Sequence, residues 1–333
     1  MKKLISLAAA QSILCEYGNM KGLEDSCRAL GCDGYELIWG GEELPADLPA
    51  DLTYGYHLTF FPDWLDFWRG DEAALKEKYG NREVWRAFYG GDSRETLLRL
   101  YQEDLQRAVS LGAPYVVFHT SDVSIEEGYT YRWRHSHEEV LDASAEVLNL
   151  LLDGRKGEFT FLVENQWWPG LTLTDPVQTA RLLDAIRYPN KGIMLDTGHL
   201  MNCNTALRTQ REGVEYISQM LRRHKGYREL VQGVHLHHSL SGEYVKTHTG
   251  TLPDDLPPPE DSEGRFGYSY GHILKIDQHR PWTDPAVREL VEEISPHWLV
   301  HELSAPNRAA REQAVAAQME ALGYNDIRYR RNW

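Results

Sequence analysis

The stretch "GIMLDTGHLMN", residues 192–202, opens on an apolar run, then presents Asp196 and, three residues on, His199. A short apolar run bounded by polar residues reads as a strand buried on both faces. A carboxylate at the end of such a strand needs a partner, because an unpaired buried charge is costly. The fold turns on whether other runs of this kind recur along the chain.

They do. "KLISLAA" (3–9), "GYELIW" (34–39), "YGYHLTF" (54–60), "YVVFHT" (115–120), "FTFLVEN" (159–165), "GVHLHH" (233–238) and "WLVHEL" (298–303) make eight candidate strands with the first. Amphipathic segments separate most of them. Residues 93–113 place Leu97, Leu98, Tyr101, Leu105 and Ala108 on one stripe. Residues 136–154 open on Ser136 as an N-cap and close on Gly154, and 175–186 carry a proline at the first helical position. Further helices are expected over 205–224, 284–294 and 307–323. This alternation predicts a parallel sheet, and eight strands predict an α/β (β/α)8 TIM barrel formed by the whole chain, 1–333, ahead of a doubly wound open sheet. No Gly-rich loop follows a strand, so no nucleotide cofactor is expected. Two connections are too long for simple turns, 61–92 after strand three and 239–276 after strand seven. The second contains "TLPDDLPPPEDSEG", whose proline and acid content reads as irregular chain and a candidate lid.

Lysine and arginine total 35 against 50 aspartates and glutamates, a net charge of −15. That field disfavours nucleic acid and anionic membranes as partners. The four cysteines (Cys15, Cys27, Cys32, Cys203) contain no CxxC pair and no disulfide framework, which fits a cytoplasmic setting. The start "MKKLISLAAAQS" imitates a signal peptide, but its short apolar run serves equally as the first strand. No stretch approaches a membrane span.

In such a barrel, chemistry sits where strands end. Strand two offers Glu36, strand three His57, strand four His119, strand five Glu164, strand six Asp196 with His199 beyond it, strand seven His235 and His237, and strand eight Glu302. Converging carboxylates repel one another unless a cation lies between them. A mixed imidazole and carboxylate set suits a divalent metal, Mn²⁺, Zn²⁺, Mg²⁺ or Co²⁺. Glu164, Asp196, His235 and Glu302 are the expected ligands. A role supporting a ligand or a purely structural one is expected for Glu36, a structural one for His238, and a helix start for "HSHEE" (135–139), while His248 and His272 lie in the long loop within reach of the site.

"FTFLVENQWWPG", "GIMLDTGHLMN", "VHLHHS" and "LVHELS" together resemble the xylose isomerase-like TIM-barrel superfamily, which includes sugar isomerases, ketose 3-epimerases and apurinic-site endonucleases. Resemblance to the epimerase branch implies one metal held by Glu164, Asp196, His235 and Glu302, with both glutamates as acid–base groups and His199 contacting substrate. Resemblance to the endonuclease branch implies a trinuclear zinc site. It would add His57 of "YGYHLTF", His119 of "VVFHTSD", His199, and Asp277 and His279 of "IDQHRPW". Here the Asp-x-His step follows the long connection, a departure from that branch.

Trp64, Trp167, Trp168 and Trp282 fall in loops that follow strands and, with His237, are expected to face substrate, since sugar faces stack on aromatic rings. The leading expectation is therefore a metal-dependent sugar or sugar phosphate isomerase or epimerase of carbohydrate metabolism, acting through an enediolate. A multinuclear zinc phosphoesterase is the first alternative, and a non-catalytic sugar- or metal-binding barrel the second. Resemblance to this superfamily also admits a homo-oligomer.

Overall fold

The computed structural model describes residues 1–45, 48 and 50–324. Eight parallel strands close into a barrel in chain order. They are β1 (Lys2–Ala9), β2 (Gly34–Trp39), β3 (Thr53–His57), β4 (Tyr115–His119), β5 (Thr160–Glu164), β6 (Lys191–Asp196), β7 (Val231–Leu236) and β8 (Trp298–His301). The eight expected strands are all present, the far ends of several trimmed where the chain turns toward its helix.

Period-two alternation divides each strand between two layers. Leu4, Tyr115, Val117, Leu162, Met194 and Val300 fill the barrel interior. Phe161, Val163, Ile193 and Leu195 face outward and pack with helical residues such as Leu148, Leu182 and Ile217. Each fully buried aliphatic or aromatic side chain contributes roughly 1.5–3 kcal/mol. Gly55 belongs to this packing, because a Cβ there would run into the Tyr115 ring.

Helix starts follow the cap chemistry. Ser136 and Glu139 form a reciprocal capping box before helix His137–Leu151, and Asp175 caps Pro176–Ala185. The helix expected from 205 begins later, at Gln210, where Thr209 and Glu212 form a capping box.

The two long connections are largely helical. Residues 61–92 fold into Leu65–Arg69, Glu72–Tyr79 and Arg82–Tyr89. The 239–276 connection, expected to be irregular, is corrected in part: it contains helices Gly242–His248 and Ser262–Ile276, and the proline-rich stretch between them is without helix. Helix Ser262–Ile276 is tied down by His272 Nε2, 3.2 Å from the Gly128 carbonyl. Among the described residues no helix is long and apolar enough to cross a membrane.

Candidate metal centre

Alternation aims His57, His119, Glu164, Asp196 and His235 into the barrel at its C-terminal mouth. Register sets His119 beside Glu164 and Asp196 beside His235. Three groups of side chains each bring their ligand atoms within 4.8 Å of one another: His57, His119 and Glu164; Glu164, Asp196, His235 and Glu302; and His199, His237, Asp277 and His279. Glu164 belongs to two groups. Asp196 joins the second to the third, its Oδ2 lying 2.8 Å from His237 Nε2. The result is one continuous array.

Outer partners fix which ring nitrogen faces inward. His57 Nδ1 lies 2.9 Å from the Leu58 carbonyl, and its Nε2 lies 3.0 Å from Glu164. His199 Nδ1 lies 2.9 Å from the Asn165 carbonyl, with Nε2 3.1 Å from Asp277. His279 Nδ1 lies 3.1 Å from the Glu302 carbonyl, with Nε2 2.6 Å from Asp277. His235 reverses the pattern: Nε2 meets Glu36 at 2.9 Å, and Nδ1 faces Glu302 at 3.1 Å and Glu164 at 3.3 Å. An N–H donated outward leaves the other nitrogen's lone pair for the centre, as metal-binding imidazoles require. Glu36 also accepts from the Tyr115 hydroxyl at 2.7 Å.

The electrostatics follow from crowding. Burial works against a charged His57, but the Glu164 carboxylate outweighs it and raises the ring to about 9. Burial instead prevails at His119 and lowers it to about 4. The two rings share one carboxylate oxygen, with Nε2 atoms 3.1 Å apart, so only one proton fits between them. Burial opposes ionisation of Glu164, yet His119 and His235 hold its carboxyl well below the usual range. Burial raises Glu302, and the Asp196 and Glu164 charges push it the same way. His279, raised to about 10 by Asp277 against its burial, sits at a backbone φ of +44°, a left-handed conformation that costs a non-glycine residue roughly 1–2 kcal/mol.

The donor set fits divalent cations. Glu164 Oε1, Glu302 Oε2, Asp277 Oδ1 and His235 Nδ1 are buried with no hydrogen-bond partner. Such atoms are costly to leave unsatisfied, and lone pairs that face one another without a proton between them call for a cation. Nitrogen and oxygen donors without thiolate suit Zn²⁺ or Mn²⁺.

All nine residues of the larger expected set are brought together. His237, expected to face substrate, falls instead among the prospective ligands. Gly198 makes its room, since a Cβ there would collide with the ring. Two tryptophan expectations are corrected. Trp64 and Trp282 lie in the hydrophobic core, their indole N–H groups donating to the Ser121 and His237 carbonyls at 2.8 Å. Trp167 and Trp168 lie near the mouth, packed against each other at a tilt of 38°, with Trp167 5.1 Å from His199 between ring centres. Phe60, which no sequence pattern singles out, packs edge-on to His119 at 4.4 Å. His238 points away and bonds with Gln210, His248 is exposed, and His272 is engaged by Gly128 and Tyr244.

A closed barrel whose strand ends converge on carboxylates and imidazoles defines a (β/α)8 protein with a candidate metal centre. The chain belongs to the xylose isomerase-like TIM-barrel family, whose model matches residues 25–323. Among solved structures it is similar to endonuclease IV from Thermus thermophilus, at 16% identity over 97% of this chain and 99% of that one, with a TM-score of 0.54. It is similar also to the IOLI protein with a bound zinc atom (17%, 98% and 100%, TM-score 0.51). A third is D-allulose 3-epimerase from Methylomonas sp. in complex with D-allulose (11%, 97% and 96%, TM-score 0.51). At these identities the likeness is one of fold. No curated protein matches the sequence.

Proposed function

We propose that this chain is a multinuclear metal-dependent hydrolase of phosphoesters. The observation that carries the reading is the continuous ligand array, three groups sharing Glu164 and linked through Asp196 and His237. A one-metal isomerase needs only the second group, and the other two would then be buried charge without a purpose. Divalent cations held there would supply Lewis-acid polarisation of phosphoryl oxygens and neutralise developing charge. The chain itself fixes the imidazole tautomers through the Leu58, Asn165 and Glu302 carbonyls and Glu36. It also excludes water from the floor of the site through the Leu162 and Met194 layer. The net charge of −15 favours a small phosphoester over a polynucleotide.

The test is elemental analysis together with hydrolysis of bis(p-nitrophenyl) phosphate. Three ions per chain, one for each group, are expected, falling on His57→Ala or His279→Ala substitution. One ion per chain, unmoved by either variant, would defeat the reading.

One observation favours a second reading, a sugar isomerase or epimerase. Glu164 and Glu302 flank a single point at His235 Nδ1, as an acid–base pair would, and aromatic residues wall the mouth. Deuterium exchange at a sugar carbon in deuterated water, with one metal per chain, would establish it.

A further inference from the structure

Beside the centre lies a cavity of about 180 Å³, closed on one side by helix Ser262–Ile276. Its wall includes Phe60, Val123, Tyr129, Trp168, Tyr270 and Ile273. Two of these connect it to the prospective ligands: Phe60 packs on His119, and Trp168 packs, tilted, on Trp167, which packs on His199. Phe60 and Trp168 are themselves near-parallel, 14° apart at 6.4 Å.

Ser124, Ser269 and His272 on this wall are already engaged, while the Trp168 indole N–H is buried without a partner. Ser124 Oγ accepts from the Glu127 N–H, and Ser269 Oγ donates to the Phe266 carbonyl. Both nitrogens of His272 face protein oxygens, Tyr244 Oη at 2.9 Å and the Gly128 carbonyl at 3.2 Å, and its ring lies stacked on Tyr129 at 4.2 Å. Lysine, arginine, aspartate and glutamate are absent from the lining. A sugar, with a hydroxyl on nearly every carbon, would lose its water here for few replacement bonds. A flat apolar ring would lose little and stack on several faces. The volume exceeds the roughly 150 Å³ that accommodates benzene.

We infer that this cavity is a specificity pocket for a planar aromatic or heteroaromatic group carried by the substrate beside the bond acted on at the centre. The inference rests on the proposed function for the nature of that bond, but not for the pocket itself. Much of the wall comes from helix Ser262–Ile276, part of the long connection after β7.

The experiment compares binding of 1-naphthylphosphonate with methylphosphonate, and of 1-naphthoate with acetate, by calorimetry on metal-free and zinc-loaded protein. Naphthyl compounds are expected to bind about tenfold tighter or more, as burial of an aromatic ring implies. Gly128→Leu should remove that advantage by filling the cavity. A Cβ at Gly128 meets only Ile273 Cδ1, at 3.7 Å, so the backbone tolerates the change. Tyr270→Ala, at a half-exposed position, should weaken the naphthyl compounds alone and serves as a second, milder variant. Equal affinities for naphthyl and methyl compounds, or a naphthyl preference that survives both substitutions, would overturn the pocket. An aryl preference confined to the carboxylates would keep the pocket and count against phosphoester chemistry.

Discussion

His235 shows how one residue carries a whole argument. It stands at the end of an apolar strand, so alternation alone places it inside the barrel, and the sequence suffices to nominate it. The sequence does not say which nitrogen it presents. That is decided by Glu36, across the barrel on β2, which accepts a hydrogen bond from Nε2–H and frees the Nδ1 lone pair. Glu36→Gln should therefore lower metal affinity about 10–100-fold while leaving the circular dichroism spectrum unchanged, measured by competition with a chromophoric chelator. An unaltered affinity would show that Glu36 serves only Tyr115. His237 is harder to assign from sequence, because it lies past the end of β7, where alternation no longer fixes direction. The gap left by Gly198 admits its ring toward Asp196. Trp64 and Trp282 depart from expectation for a related reason: composition reveals an aromatic residue in a loop but not which way it turns.

At the scale of elements, the caps are legible in the sequence and the short helices are not. Ser136 with Glu139 is a local pattern, and Ser136→Ala should cost about 1 kcal/mol in urea unfolding. The connection 61–92 holds helices of five to eight residues, too short for a period of 3.6 to declare itself. Tertiary contacts hold them, above all buried Lys78, whose Nζ lies 2.5 Å from Asp63 and 2.7 Å from Asp66. Burial opposes the Asp66 charge, but His135 and Lys78 hold its carboxyl well below the usual range. A depressed carboxyl adds stability that is present above the unfolded value near 3.9 and is lost as pH falls through the folded value. Lys78→Met should cost roughly 3–5 kcal/mol near neutral pH, because it strands Asp63 and nearby Asp122 without a countercharge. Asp122 is already raised to about 7 by burial and by Asp63. With the ammonium gone Asp66 keeps only its His135 partner, and Asp63 and Asp122, already raised, lose the charge that held them down, so for these two the sign reverses. The variant's deficit should shrink toward pH 4 and widen toward pH 8, as read from urea midpoints across that range. A deficit constant with pH would mean that Lys78 acts by packing alone.

For the molecule as a whole, closure in chain order is readable because eight strand-like runs alternate with helical stripes, and a right-handed crossover rule leaves few other arrangements. What a series of strand ends cannot convey is the cost of bringing them together. Glu302 makes that cost measurable. Its carboxyl is raised by burial and by the charges of Asp196 and Glu164, so at neutral pH its ionisation works against the metal-free fold. A raised carboxyl contributes stability below its unfolded value that is lost as pH climbs through the folded one. Metal-free Glu302→Gln should then unfold at an equal or higher temperature than metal-free wild type at pH 8, with the gap closing toward pH 4. Zinc should invert the order. A ligand at 100 times its dissociation constant adds about 2.7 kcal/mol to a fold that binds it, and the variant, lacking one carboxylate of the second group, should gain less. Calorimetric scans with and without a chelator would show the crossing. If Glu302→Gln were instead less stable than wild type in both states, the carboxylate would be a structural partner of His235 and His279, and the case for a cation at that point would fail.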